Sequence, residues 1–376
     1  MIKIPYGRQF IDNSDIIEVS KTLKNDLITT GKKVGKFEQK INKLLKCKFS
    51  SACNSGTSAL LLAFQSIGLK KNDIVIMPSI TFVASYNVVK ILGAKVFLAD
   101  VNSNTGQMSP NDILNCCKKF KIKKVKAIVA MYNGGYPENA EKFFKLKKRL
   151  GCYVIEDGCH ALGARYFFKG EKIYIGSCKH SDICTFSFHP LKTITTGEGG
   201  LVTTNSKYLD KRIKNLRSHG MKKNLNWSYD IVDHGLNLRL NDFQAALGIS
   251  QLEKIKKFIS RRKEIAEFYN KELKNIKRIT IPNYNSLNDP SYHLYIMVIK
   301  DFNINKKSAF FEFMKKKGIS VQYHYIPIYK FKIFTDKKDA INSEFYFKNA
   351  ISLPIYYSLT KTQQKFIIKN IKNYLN

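Results

Sequence analysis

The sequence predicts an α/β protein built around a mostly parallel sheet. Two observations carry this. Short β-rich apolar runs alternate with helical patterns. Hydrophobic residues make up 44% of the 376 residues, which supports a sizeable core and argues against wholesale disorder. That length suits two packed domains, or one large and one small.

The elements follow in order. Thr57 to Ile67 reads as a helix closed by Gly68. The strand-like runs are Asp73 to Met77, Lys95 to Ala99, Lys126 to Ala130, Cys152 to Ile155 and Ile183 to Phe186. Lys142 to Leu150 is a helix closed by Gly151, and Leu240 to Phe258 reads as one long helix leading out of the sheet. A second region follows. It has a helix from Ser260 to Leu273, a strand from His293 to Ile299 and a helix from Lys306 to Lys317 closed by Gly318. A strand from Ile319 to His324 and a last helix from Lys361 complete it. The pattern divides the chain near 255, into 1–255 and 256–376.

No apolar run approaches the ~18–20 residues that span a bilayer, and Met1 to Pro5 lacks the apolar core of a secretion signal. The expected compartment is the cytoplasm, with no membrane partner. Eight cysteines are scattered without zinc-ligand spacing and read as buried thiols, so no metal is expected. The net charge of +35 raises a nucleic-acid reading. The lysines are spread along the chain, and no basic-aromatic module stands out, so no nucleic-acid partner is expected. The same charge suits an acidic substrate such as a nucleotide diphosphate.

One constellation carries chemistry. Lys192 ends Ser187-Phe188-His189-Pro190-Leu191-Lys192, just before a turn and the stretch Thr195-Thr196-Gly197-Glu198-Gly199-Gly200. Upstream, Tyr153-Val154-Ile155 ends in Glu156-Asp157. A lysine on a constrained turn with a carboxylate at a strand end is what a pyridoxal phosphate site needs. The amine forms a Schiff base, and the acid keeps the pyridine nitrogen protonated. Taken alone, Lys192 is one of 64 Lys and Arg residues, most of them surface charges. Asn54-Ser55-Gly56-Thr57-Ser58 opens a helix, where backbone N–H groups and the helix dipole attract an anion; a plain N-cap is the commoner use.

These segments, with Thr81-Phe82-Val83-Ala84-Ser85, Asp157-Gly158-Cys159-His160-Ala161 and Asn237-Leu238-Arg239-Leu240-Asn241-Asp242, fall in the order seen in the DegT–StrS sugar-nucleotide aminotransferases. The resemblance covers nearly the whole chain. It implies aminotransferase fold type I, with a seven-stranded sheet in a large domain, a smaller C-terminal α/β domain and a homodimer with shared active sites. It implies pyridoxal 5'-phosphate as cofactor. By resemblance, Lys192 carries the cofactor, Asp157 pairs with the pyridine nitrogen and Phe82 stacks on the ring. Gly56, Thr57 and Ser187 bind phosphate, and Asn237 does so from the neighbouring subunit. His160, where many members have Gln, approaches the phenolic oxygen, and His189 reads as structural. A related group of dehydratases has His in place of Lys192, so transamination is expected here.

The C-terminal segment Gly318 to Tyr329 resembles the branch that makes the 4-amino precursor of pseudaminic acid, as do Leu216 to Met221, Ile351 to Pro354 and Asp157 to Gly163. This implies L-glutamate as donor and a UDP-linked 4-keto-6-deoxy-N-acetyl hexose as acceptor, with Tyr323 and His324 as sugar or phosphate contacts. A sibling acting on another 3- or 4-keto sugar nucleotide, linked to dTDP or GDP, is the nearby alternative. A catalytically silent binding protein of the same fold is a further one, and the joint presence of Lys192 and Asp157 argues against it. One departure stands out: many members read His-x-x-Gly-x-Pro where this chain has Tyr132-Asn133-Gly134-Gly135-Tyr136-Pro137.

Overall fold

Seven strands form the central sheet of the computed structural model, which describes residues 3–225, 227–334 and 340–375. From edge to edge they are Phe49–Cys53, Gly200–Thr204, Ile183–Ser187, Tyr153–Asp157, Ala127–Met131, Ile74–Pro78 and Lys95–Ala99. Gly200–Thr204 runs antiparallel to both its neighbours, and the other pairings are parallel. The five apolar runs seen in the sequence are the five consecutive parallel strands. Their burial on both faces explains why they read as continuous apolar runs. Phe49–Cys53 and Gly200–Thr204 escape the sequence pattern because serine, threonine and glycine make up half of their residues and interrupt the apolar run. Pairing, not hydrophobicity, defines them.

Helices Gly56–Ser66, Ala140–Leu150 and Ile304–Lys316 match the expected ones within two residues. Gly68, Gly151 and Gly318 take φ of 66°, 61° and 74° just past the helix ends, a conformation that disfavours any side chain.

Two expectations are corrected. The single helix from Leu240 to Phe258 is two, Asp242–Glu253 and Ile255–Leu273, which also moves the start of the second helix ahead of Ser260. The break falls at Lys254. Its ammonium reaches Asp12 at 2.8 Å and the buried Asp15 at 2.7 Å, at the start of helix Asn13–Leu23. Periodicity cannot report such long-range contacts. The expected strand from Ile319 to His324 is extended chain with isolated bridges, Ile4 to Ile319 and Gln322 to Ser352.

The C-terminal region holds a three-stranded sheet of Ile279–Thr280, Tyr295–Ile299 and Ala350–Leu353. Alternation divides its central strand. Tyr295, Met297 and Ile299 join a core with Tyr269, Phe310 and Ile367 from the helices Ile255–Leu273, Ile304–Lys316 and Lys361–Leu375. Ile296 and Val298 join Ile128 and Val154 of the main sheet. Ile4 also packs into the C-terminal core, so the chain's start belongs with its end. Six of the eight cysteines are buried, and Cys117 and Cys159 are partly exposed. Among the described residues, no helix is long and apolar enough to cross a membrane, and no His/Cys/Asp/Glu cluster suits a metal.

Candidate active site

The parallel strands end on one side of the sheet, where open α/β sheets place their sites. A cavity of about 350 Å³ lies there, lined by Gly56, Thr57, Phe82, Asp157, His160, Ser187, Lys192 and His324. Eight of the ten residues expected from sequence therefore meet in one place.

Asp157 closes strand Tyr153–Asp157 and is 3% exposed. Ser85 Oγ donates to its Oδ2 at 3.2 Å and the Cys159 N–H to its Oδ1 at 3.1 Å. No Lys, Arg or His forms an ion pair with it among the described residues. A buried carboxylate without a cation, facing a cavity, suits a protonated ring nitrogen. Its neighbour Glu156 leaves the strand on the other face and is fully engaged. Tyr132 Oη donates to Oε1 at 2.7 Å, Ser181 Oγ donates to Oε2 at 3.0 Å and the Gly176 N–H to Oε2 at 3.3 Å. Burial pushes the Glu156 carboxyl above its ordinary range.

The start of helix Gly56–Ser66 forms the anion end of the cavity. Ser55 caps the helix by accepting the Ser58 N–H at 3.1 Å. The N–H groups of Gly56 and Thr57 make no hydrogen bond among the described residues, as expected of a first turn. Ser187 stands at the end of its own strand beside them. A Cβ on Gly56 would lie 2.8 Å from Ser187 Cβ, closer than such atoms approach. The small residue is what lets the helix and the strand converge, and the result fits a phosphate.

Lys192 sits on a loop pinned at both ends. Its N–H donates to the His189 carbonyl at 2.9 Å. Phe188 is fully buried, edge-on to Phe37 at 5.3 Å, and its N–H donates to the Gly199 carbonyl at 2.8 Å. Removal from water lowers the Lys192 ammonium pKa, against the opposing pull of Cys159 and Asp157. His189 is exposed and its Nδ1 accepts the Leu191 N–H at 3.4 Å, inside its own turn. Phe82 precedes helix Val83–Ile91 with 53% of its surface exposed.

The far wall holds three histidines and Tyr325. The Gly134 N–H donates to His160 Nδ1 at 3.3 Å, which leaves the ring proton on Nε2. Nε2 then donates to Tyr325 Oη at 2.9 Å, and the Tyr325 hydroxyl keeps its own proton for another acceptor. Desolvation holds His160 well below its usual pKa, with Lys192 and His324 adding to it. Burial likewise drives His324 to about 3, and its Nδ1 pairs with Ser352 Oγ at 2.9 Å. The departing segment lies behind this wall. Tyr132 holds Glu156, the Asn133 amide donates to Tyr346 Oη at 2.8 Å, and Gly134 holds His160. Tyr132 does not line the cavity, so it meets a ligand only through these neighbours.

Two expected residues lie elsewhere. Tyr323 is 38% exposed, against Phe311 and Phe347, with the Lys307 ammonium 5.7 Å from its ring. His324 and Tyr325 turn into the cavity, whereas Tyr323 turns out onto Phe311 and Phe347. Tyr323 therefore does not line the cavity of its own chain. Asn237 is exposed and outside the cavity of its own chain, next to Leu238, whose carbonyl accepts the Asn54 N–H at 2.9 Å. Sequence reasoning passed over Tyr325, His293 and Tyr6, which also line the cavity. The signal for Tyr325 was its place beside His324.

A carboxylate, an amine and an anion-binding helix end on such a sheet are the makings of a pyridoxal phosphate enzyme. Residues 9–372 match the DegT/DnrJ/EryC1/StrS aminotransferase family, and the chain belongs to it. It is 36% identical over 374 residues to the UDP-4-amino-4,6-dideoxy-N-acetyl-beta-L-altrosamine transaminase of Campylobacter jejuni, covering 97% of this chain and 95% of that one. Among solved structures it resembles Helicobacter pylori PseC, an aminotransferase involved in the biosynthesis of pseudoaminic acid. The TM-score is 0.92 at 28% identity, over 100% of this chain and 99% of that one. It also resembles the PLP-form of the putative sugar aminotransferase Spr1654 of Streptococcus pneumoniae, with TM-score 0.90 at 26% identity over 100% and 99% of the two chains.

Proposed function

We propose that this chain uses pyridoxal 5'-phosphate to move an amino group from L-glutamate to carbon 4 of a UDP-linked 4-keto-6-deoxy-N-acetyl hexose. The observation that carries the reading is the convergence of Lys192, Asp157 and the open first turn at Gly56 in one cavity. The choice of sugar rests on the name of the C. jejuni relative and on the likeness to PseC.

Bound there, the cofactor supplies an electron sink and a carbonyl that carries nitrogen between the two substrates. Asp157 balances the charge of the ring nitrogen. The Lys192 amine holds the cofactor at rest and, once released, moves the proton; its lowered proton affinity favours the neutral, basic form. The N–H groups of Gly56 and Thr57, with the Ser187 hydroxyl, receive the phosphate. Phe82 would cover one ring face, and His160, whose two nitrogens are engaged by Gly134 and Tyr325, would act near the phenolic oxygen through the Tyr325 hydroxyl. Tyr325 and His324 face the sugar. The uridine diphosphate supplies binding energy remote from the reacting carbonyl, so its removal lowers rate as well as affinity.

The working unit in this reading is a cytoplasmic homodimer, with residues 1–255 and 256–376 as its large and small domains. Asn237 reaches the phosphate of the partner's site. Leu225, Trp227, Tyr229, Ile231 and Val232 are all exposed, Trp227 at 84%, and a second copy would cover them.

The test is a competition assay with glutamate as donor among UDP-, GDP- and dTDP-linked 4-keto sugars. The protein should be yellow and should prefer the UDP sugar. Preference for a GDP- or dTDP-linked sugar would refute the substrate, and a colourless protein that takes up no pyridoxal phosphate would refute the chemistry.

A further inference from the structure

We propose that His293 is a specificity residue whose Nε2 donates a hydrogen bond to a hydroxyl or acetamido oxygen of the sugar; the inference rests on the transamination reading above. His293 lies just before strand Tyr295–Ile299 and is 7% exposed, and the surface it keeps lines the cavity. Its ring lies 4.2 Å from that of His160, centroid to centroid.

The main chain at this point cannot drift. Arg262 Nη1 donates to the His293 carbonyl at 3.2 Å and to the Ile355 carbonyl at 2.8 Å. On either side, Ser291 Oγ donates to the His160 carbonyl at 2.6 Å and the Leu294 N–H to the Gly134 carbonyl at 3.2 Å. So rigid a mounting would be expected to serve a hydrogen bond, yet the His293 ring makes none among the described residues. Nδ1 is closed to solvent without a partner. Nε2 is left to meet the cavity. The other two histidines of the wall differ, since His160 uses both nitrogens and His324 pairs with Ser352.

The surroundings decide what the free nitrogen can meet. Burial holds the ring well below its usual pKa, helped by His160, Lys192, Arg262 and His324, so it is neutral. A neutral ring carries one proton, and a buried N–H without an acceptor is costlier than a bare ring nitrogen, so the closed Nδ1 is the unprotonated one and Nε2 acts as the donor. A neutral donor suits an uncharged oxygen of a sugar. It brings no charge to a carboxylate, which ties His293 to the acceptor rather than to the amino donor.

The test compares wild type with His293→Leu and His293→Asn, where Asn keeps a donor. Single-turnover kinetics read the two halves separately, glutamate with the pyridoxal form and keto sugar with the pyridoxamine form. Titration calorimetry with the UDP-4-amino sugar product reads binding without turnover. His293→Leu should shift the ratio of the two halves against the sugar by about tenfold, mainly through weaker sugar binding, and His293→Asn should lose less. An unchanged ratio in His293→Leu, or an equal loss in both halves, overturns the inference. If Leu does not fold, His293→Ala takes its place with the same reading: a loss confined to the sugar half and to product affinity supports the inference, and an unchanged ratio or an equal loss in both halves overturns it. Wild-type protein that reacts with glutamate but with no UDP-linked keto sugar would instead overturn the proposed substrate.

Discussion

Glu156 and Asp157 are adjacent carboxylates with different surroundings, because successive strand residues leave on opposite faces. Glu156 accepts three hydrogen bonds in the core, and Asp157 keeps capacity toward the cavity. Asp157→Asn keeps the size and the hydrogen bond from Cys159 but removes the charge. It should fold as wild type and lose roughly 100-fold or more in kcat. Transamination at the wild-type rate would remove Asp157 from the ring-partner role. Lys192 and Asp157 were legible in the sequence because covalent and electrostatic chemistry demands those residue types within short motifs, and Gly56 through the resemblance of its segment to the family's. Tyr325 and His293 were not, because what brings them to the cavity is contact with His160, 165 residues away in sequence for Tyr325. Tyr323 and His324 were adjacent candidates, and only backbone direction separates them.

Among the elements, the helix Gly56–Ser66 links local sequence to the site most directly. Its N-terminus must approach Ser187 so closely that a Cβ at residue 56 would meet Ser187 Cβ at 2.8 Å. Gly56→Ala should therefore push the helix and the strand apart where the phosphate is held, while the helix itself tolerates alanine well. Affinity for pyridoxal phosphate, read by absorbance titration of the apo protein, should fall by about tenfold with little change in Tm. Unchanged affinity would mean the two elements do not share the phosphate. The same contrast explains which elements could be read in advance. Helices closed by glycine and strands buried on both faces carry local signals. Phe49–Cys53 and Gly200–Thr204 are held by pairing with distant strands, and the helix break at Lys254 coincides with its ion pairs to Asp12 and Asp15.

At the scale of the whole molecule, the proposed dimer makes a prediction that no single chain can satisfy. Asn237 is exposed and stands outside the cavity of its own chain, beside the Asn54 segment. If it serves the partner's phosphate, Asn237→Asp places a negative charge against that anion and silences the partner's site. Lys192→Ala silences the site of its own chain. In a mixed dimer of the two variants, the chain that keeps Lys192 faces a partner that keeps Asn237. That site is wild type, and the other lacks both residues. Random reassembly of equal amounts yields half mixed dimers, each with one of two sites intact, so activity should return to on the order of a quarter of wild type. If Asn237 acted within its own chain, each chain of the mixed dimer would carry a lesion in its own site. Activity would then stay at the level of the single variants, and that result, with dimers verified by mass, would refute the shared site.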